Sequence, residues 1–164
     1  MALSNRINFR GGQSQPLGNY LYKDGVDNIS VTGGLTGIGY TLINNASYSK
    51  SGTLSFDSDN IRVTSNSTWG NYEIFGASLP IDVTNINTLY FKYIENGVVK
   101  TATVDVRNAT GNRYVFASVY RSSAYTVIFG LATNKSDCIT TAQGYETHYD
   151  TSVNTIYVKE IQIA

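Results

Sequence analysis

Leu89-Tyr-Phe-Lys-Tyr-Ile94 and Val98-Val-Lys-Thr-Ala-Thr-Val-Asp-Val106 flank the tripeptide Glu95-Asn96-Gly97, and together they predict a β-hairpin. Asn-Gly accepts positive φ at both central turn positions at little cost, which favours the type I′ turn whose twist suits two antiparallel strands. In the second arm Lys100, Ala102, Val104 and Val106 alternate with Thr101, Thr103, Asp105 and Arg107. Successive side chains of a strand point to opposite faces, so the second set faces water and the first a core.

The same rhythm runs outward on both sides. Upstream lie Thr53-Leu-Ser-Phe, Asn60-Ile-Arg-Val-Thr, Asn71-Tyr-Glu-Ile-Phe-Gly and Leu79-Pro-Ile-Asp-Val, short runs bounded by Ser, Asn, Asp and Gly. Downstream, Arg113 to Tyr120 and Tyr125 to Leu131 are two strands divided by Arg121-Ser-Ser-Ala. Ala132 to Asn154 reads as a long polar connection, which either carries function or holds extra structure. In the closing run, Thr155 to Ile163, the apolar side changes face near Lys159-Glu160. A β-bulge there, or a strand buried on both faces at its start, would account for the change.

Composition agrees. Asn, Ser and Thr supply 50 of the 164 residues and Tyr another 13, while Met occurs once. That is material for strands and turns, in a chain long enough to bury a core without a staple. Roughly eight to ten short strands at spacings of roughly 8–12 residues mean a sandwich or barrel. Long connections and the lack of internal repeats favour an all-β, antiparallel, jelly-roll-like β-sandwich over a propeller or solenoid.

Residues 1–39 differ. Arg10-Gly-Gly, Gly33-Gly34 and Gly37-x-Gly39 punctuate a polar, weakly periodic stretch. Two readings stand: an extended attachment arm, with Asn8, Phe9, Arg10, Leu17, Tyr20 and Tyr22 as its contacts, or edge strands with wide turns. A short strand is expected around Asn28 to Thr32, and the sandwich proper over 40–164.

Charge narrows the function. Net charge is zero and charged residues are 15% of the chain, with Lys and Arg scattered singly. Nucleic-acid binding needs a clustered positive footprint, and surface-seeking membrane helices need a basic amphipathic stretch; the sequence offers neither. The start, Met1-Ala-Leu-Ser-Asn-Arg, has no apolar core of a secretory signal, and no apolar run reaches membrane-spanning length. A charge-poor, amide- and hydroxyl-rich chain made without a signal fits a virion component, assembled inside a cell and working outside it.

Catalytic patterns are missing: no Gly-x-Ser-x-Gly, no His-Glu-x-x-His, no phosphate loop and no Rossmann glycines. Any twelve acidic residues contain some plausible pair, such as Asp57 with Glu73, so pairing alone is no argument for a glycosidase. Cys138 and His148 are the sole members of their types, which leaves a Cys–His pair conceivable and a tetrahedral zinc site unsupported. No enzyme activity and no cofactor are expected. A structural calcium ion on Asp57, Asp59 and Asn60 is the one metal reading, against a plain solvated turn.

Leu54-Ser-Phe-Asp, Ile61-Arg-Val, Ile81-Asp-Val-Thr-Asn-Ile-Asn-Thr-Leu-Tyr-Phe and Ile156-Tyr-Val-Lys-Glu-Ile-Gln-Ile carry a resemblance. Over about two thirds of the chain, from Leu54 onward, it resembles β-sandwich modules of tail and minor structural proteins of bacteriophages and prophages of Gram-positive bacteria. There an Ile-Asp segment of this kind precedes a core strand. Asp82 and Thr84 are suited to set a turn, after which Leu89, Phe91 and Tyr93 fill one core face. The resemblance implies a jelly roll similar to carbohydrate-binding modules, a virion location, and a role in receptor contact or particle decoration. It assigns no binding residue.

Sugars present apolar C–H faces and polar rims, which proteins meet with an aromatic ring beside amides and carboxylates. Trp69 with Asn71 and Tyr72 is one such group; Tyr145, His148 and Tyr149, beside Asp150, are a second. The rival reading makes Trp69 partly buried core and the tyrosines strand fillers. The expectation is a virion accessory protein displayed on a tail or surface fibre for host attachment. Its partners would be other virion proteins, its own copies as a homo-oligomer, and a host cell-wall glycan, with no nucleic acid and no membrane. The alternative is a purely structural decoration, neck or baseplate protein acting through subunit assembly.

Overall fold

The computed structural model describes residues 20–27, 40–42, 52–65, 72–77, 80–121, 125–135, 138, 141–150 and 154–164. Among them the chain forms thirteen strands and no α-helix. They are β1 (Tyr20–Lys23), β2 (Val26–Asp27), β3 (Tyr40–Leu42), β4 (Gly52–Phe56), β5 (Ile61–Ser65), β6 (Tyr72–Ala77), β7 (Ile81–Asp82), β8 (Thr88–Glu95), β9 (Val98–Asp105), β10 (Asn112–Arg121), β11 (Tyr125–Ala132), β12 (Ala142–Asp150) and β13 (Thr155–Ile163).

Two antiparallel sheets hold them all. In the first, β13 is central. One edge pairs with β8, which continues to β9; the other pairs with β5 along its first half and β1 along its second, extended by β4 and β2. The second sheet runs β12-β11-β10-β6-β3, with β7 beside the start of β10. The chain passes repeatedly between the sheets, at β7 to β8, β9 to β10 and β12 to β13, which is the all-β antiparallel sandwich expected.

Hairpin β8–β9 forms as the Asn-Gly turn dictates. Asn96 and Gly97 have φ of 52° and 74°, and the ladder runs from Glu95↔Val98 to Thr88↔Asp105. Leu89, Phe91, Tyr93, Ala102 and Val104 are buried while Thr101, Thr103 and Asp105 face outward. Across the sandwich the ring of Phe129 meets Phe91 at 4.8 Å and Tyr93 at 4.7 Å between centroids. Tilted aromatic pairs of this kind add to the gain from burying their area.

β13 carries a bulge: its register against β8 shifts between Val158 and Glu160. Strict alternation would put Ile156 and Val158 on one face and Ile161 and Ile163 on the other. The extra residue sends all four inward, and each is buried. Asp82 sets its turn as anticipated: Thr84 donates both its N–H (3.0 Å) and its hydroxyl (2.6 Å) to Oδ1. These bonds hold the carboxyl below its ordinary pKa. Thr84 Oγ1 in turn accepts the Gly111 N–H at 3.0 Å.

One open alternative is decided and two expectations change. The polar connection from Ala132 to Asn154 holds β12, a nine-residue strand paired with β11. Alternation there is polar against polar, so no apolar period announced it. Tyr20 and Tyr22, expected in an attachment arm, lie in β1, where Leu21 is fully buried and Tyr22 nearly so. β1 pairs with β13, so this part of residues 1–39 belongs to the sheet, which is the edge-strand reading. Among the described residues of the Leu79–Val83 run, Ile81 and Asp82 alone form a strand. The strand expected around Asn28 to Thr32 lies outside the described residues, as do Asn8, Phe9, Arg10 and Leu17.

On one flank the sheets close on each other. Gly144 has φ of 78°, and a Cβ there would stand 2.7 Å from the Asp105 carbonyl oxygen, so only glycine lets β12 approach β9 this closely. The Thr103 N–H, on the outer edge of β9, donates to both Glu146 oxygens at 3.3 Å. A side-chain carboxylate thereby covers an edge amide that a further strand would otherwise pair.

Candidate functional site

The outward face of the first sheet collects polar and aromatic side chains in cross-strand rows. Tyr20 (β1), Gln162 (β13), Tyr90 (β8) and Thr103 (β9) are register partners in one row. Lys23, Glu160, Lys92 and Thr101 form the next on the same four strands. Arg62, Tyr157, Ile94 and Val99 form a third, with β5 in place of β1. Directly opposed residues on one face stand close enough to act on a common ligand.

Between the first two rows lies a cleft of about 400 Å³ lined by Tyr90, Lys92, Thr101, Glu160, Gln162 and Ala164. Tyr90 is half-buried, so its ring is held by the sheet yet open on one side. Lys92 Nζ stands 3.5 Å from Glu160 Oε2. Glu160 is the more enclosed partner, with 15% of its side chain exposed against 46% for Lys92. On β1 the Lys23 ammonium sits 4.4 Å from the centroid of the Tyr20 ring. The register irregularity between Tyr20 and Tyr22 puts both Tyr20 and Lys23 on the outward face. The face thus offers a ring, an amide, a carboxylate, an ammonium and a hydroxyl in one small area, all on strands and none on a loop.

Behind this sheet a polar group interrupts the core near the hairpin turn. Glu95 is 1% exposed; its Oε2 takes the Lys100 ammonium at 2.7 Å, while Oε1 and the Tyr93 hydroxyl are buried with no partner. Burial first, and then the charges of Glu95 and Glu146, push the Tyr93 phenol far above its ordinary pKa. It therefore stays protonated.

The residues expected to bind sugar are dispersed. Trp69 and Asn71 lie outside the described residues; Tyr72 opens β6, its backbone opposite Tyr120. Tyr145, His148 and Tyr149 lie on β12 and not in a loop. Strand alternation sends Tyr145 and His148 to opposite faces, so they form no common platform. His148 turns inward: its Nε2 is 3.0 Å from Glu146 Oε1, and its ring lies 5.9 Å from Tyr93 and 6.2 Å from Phe129. Tyr145, 59% exposed, stands opposite Gly130. A Cβ on Gly130 would come within 2.8 Å of the tyrosine's own, so the glycine is what lets the two strands stand this close. The Tyr149 backbone pairs with Thr126.

Cys138 is buried with Phe116 and Ala132 on the other face of the second sheet, its thiol 3.2 Å from the Lys135 carbonyl oxygen, so it makes no pair with His148. Among the described residues no cluster of three or more metal-binding side chains occurs. The Asp57–Asn60 turn is laced by cations of the chain itself: Arg62 stands 3.6 Å from Asp57, and Lys159 donates to the Asp59 carboxylate (3.1 Å) and carbonyl (2.9 Å).

The sheet-face residues of β8, β9 and β13 were visible as strand residues but not as a site, and those of β1 were not visible even as strand. Their only sequence signal is the outward half of each alternation, which is equally the pattern of a solvated sheet. No family model matches the chain, and no curated protein or solved structure matches it.

Proposed function

We propose that this protein is a carbohydrate-binding β-sandwich carried on a bacteriophage particle, on its tail or a surface fibre, where it attaches to the host cell surface without catalysis. The observation that carries the sugar reading is the cleft on the first sheet, where Tyr90 stands beside Gln162, Glu160, Lys92 and Thr101. An aromatic ring flanked by amide, carboxylate and hydroxyl groups matches the apolar faces and polar rims of a sugar. The virion setting rests on the charge-poor, Asn-, Ser- and Thr-rich composition and on the sequence resemblance, with other virion proteins and further copies of this chain as partners.

The test is binding of the purified protein to Gram-positive cell walls and isolated wall glycans, with Tyr90→Ala and Trp69→Ala compared. Binding lost in Tyr90→Ala alone supports the sheet-face site. Binding lost only in Trp69→Ala moves the site to residues 66–71. No binding by the unmodified protein, together with a stable multimer by light scattering, favours the assembly reading. The feature that speaks for assembly is the exposed hairpin tip, where Val98 and Val99 are 55% and 58% exposed.

A further inference from the structure

The two outer strands that frame the sheet face repeat one pattern. β1 presents Tyr20 and Lys23; β8 presents Tyr90 and Lys92; between them β13 presents Gln162 and Glu160. Ring and ammonium on one side are thus matched by ring and ammonium on the other, with amide and carboxylate in the middle. Neighbouring strands are ~4.8 Å apart, so the two ring-and-ammonium pairs stand roughly 10 Å from each other. That separation is close to the length of a disaccharide.

The charges do not cancel. Lys23 and Lys92 flank the single carboxylate of Glu160, which leaves one positive charge in excess across the row. Lys23 lies over the Tyr20 ring and has no ion-pair partner among the described residues. The nearby Lys159 is not one of the row's register partners: its ammonium lies between two carboxylates, Asp24 at 3.7 Å and Asp59 at 3.1 Å, a separate group with one negative charge in excess.

We infer that the ligand of this face is an extended acidic glycan lying across β1, β13 and β8, with one anionic group per disaccharide. Alternate sugar rings rest on Tyr20 and Tyr90, and their anionic groups meet Lys23 and Lys92. The intervening sugar hydrogen-bonds Gln162 and Glu160. The face is open along this line, so an internal stretch of a polymer fits it as well as a chain end. This inference rests on the sugar-binding reading and adds to it a direction, a minimum length of about three sugars at the strand spacing just given, and a charge.

Calorimetric titration of the full chain tests it. The acidic probes are hyaluronan and unsulfated chondroitin oligosaccharides of two, four and six sugars, which carry one carboxylate per disaccharide. Chitin oligosaccharides of the same lengths are the neutral probes. The expected result is binding at least about tenfold tighter for the acidic hexasaccharides than for the disaccharides or for neutral chains of equal length. Lys23→Gln and Lys92→Gln should each weaken acidic-chain binding several-fold while leaving circular dichroism unchanged. Salt should weaken it too, since exposed charges are screened over about 8 Å at physiological ionic strength. Neutral chains binding as well as acidic ones, or disaccharides as well as hexasaccharides, overturn this inference and leave the sugar-binding reading standing. Failure of every one of these probes overturns this inference; the sugar-binding reading falls with it when isolated wall glycans fail to bind as well.

Discussion

The first sheet and β12 carry similar side chains and use them differently. Tyr20, Gln162 and Tyr90 come from three neighbouring strands, and antiparallel register brings them side by side on one face. Tyr145 and His148 come from one strand, three residues apart, and alternation sends them to opposite faces. One then stands against Gly130 across the strand pair, and the other packs on Tyr93 and Phe129. In a β-protein, closeness along the chain is a poor guide to a shared site, because the side-chain period of two separates neighbours. A site is assembled across strands, from residues distant in sequence.

The comparison can be broken or sharpened by substitution. The largest effect is expected on the inward side of the second sheet. Phe129→Ala removes the ring that meets Phe91, Tyr93 and His148, and should cost about 3–5 kcal/mol in denaturant unfolding. A loss below about 1 kcal/mol would mean that this ring is not part of a packed core. Gly130→Ala comes next. Its Cβ would stand 2.7 Å from the Gly144 carbonyl oxygen and 2.8 Å from Tyr145 Cβ, so about 1–3 kcal/mol should be lost as β12 shifts. Tyr145→Ala, by contrast, should leave wall-glycan binding unchanged; a loss there would return the site to β12.

Tyr90→Ala should reduce glycan affinity about tenfold, or ~1.4 kcal/mol. Because the ring faces outward, its melting temperature should stay near that of the unmodified protein, and a large drop would make Tyr90 a packing residue. Glu146→Ala should cost about 1 kcal/mol and speed hydrogen exchange at the Thr103 amide, whose N–H the carboxylate accepts. Unchanged exchange would show that the seam between the sheets is held by other groups.

The smallest effect is electrostatic. Hydrogen bonds from the Arg107 side chain and N–H lower the Asp105 pKa from 3.8 to about 2. A carboxyl with a lowered folded-state pKa stabilises fully above its unfolded value, and that contribution disappears as pH falls through the folded one. Both side chains are exposed, so the contribution is small and screened by salt. Between pH 4 and 2 the unmodified protein should lose slightly more stability than Asp105→Asn. Identical acid limbs in thermal melts would show that the pair contributes nothing.

Much of the fold was legible where one face of a strand is apolar. Alternation in residues 98–106 and the Asn96-Gly97 turn give a hairpin with little freedom. The face change at Lys159-Glu160 marked a real bulge, because only an extra residue lets Ile156, Val158, Ile161 and Ile163 all turn inward. β12 was illegible for the opposite reason: the residues on its inward side, Gly144, Glu146 and His148, are not apolar, so no apolar period marks the strand. Tyr20 and Tyr22 looked like an arm because β1 spans only four residues, too few for a period to emerge.

The sequence alone determined an all-β sandwich, its Asn-Gly hairpin, the change of face in the last strand and the inward residues of the strands with an apolar face, because burial imposes a pattern that local order preserves. Only the tertiary structure decided which outward residues stand together. The pairing of β13 with β1 on one edge and β8 on the other places Tyr20, Tyr90, Gln162, Glu160, Lys23 and Lys92 on a common face. Outward positions carry no burial constraint to write into the sequence, and their neighbours are set by strand order and register alone.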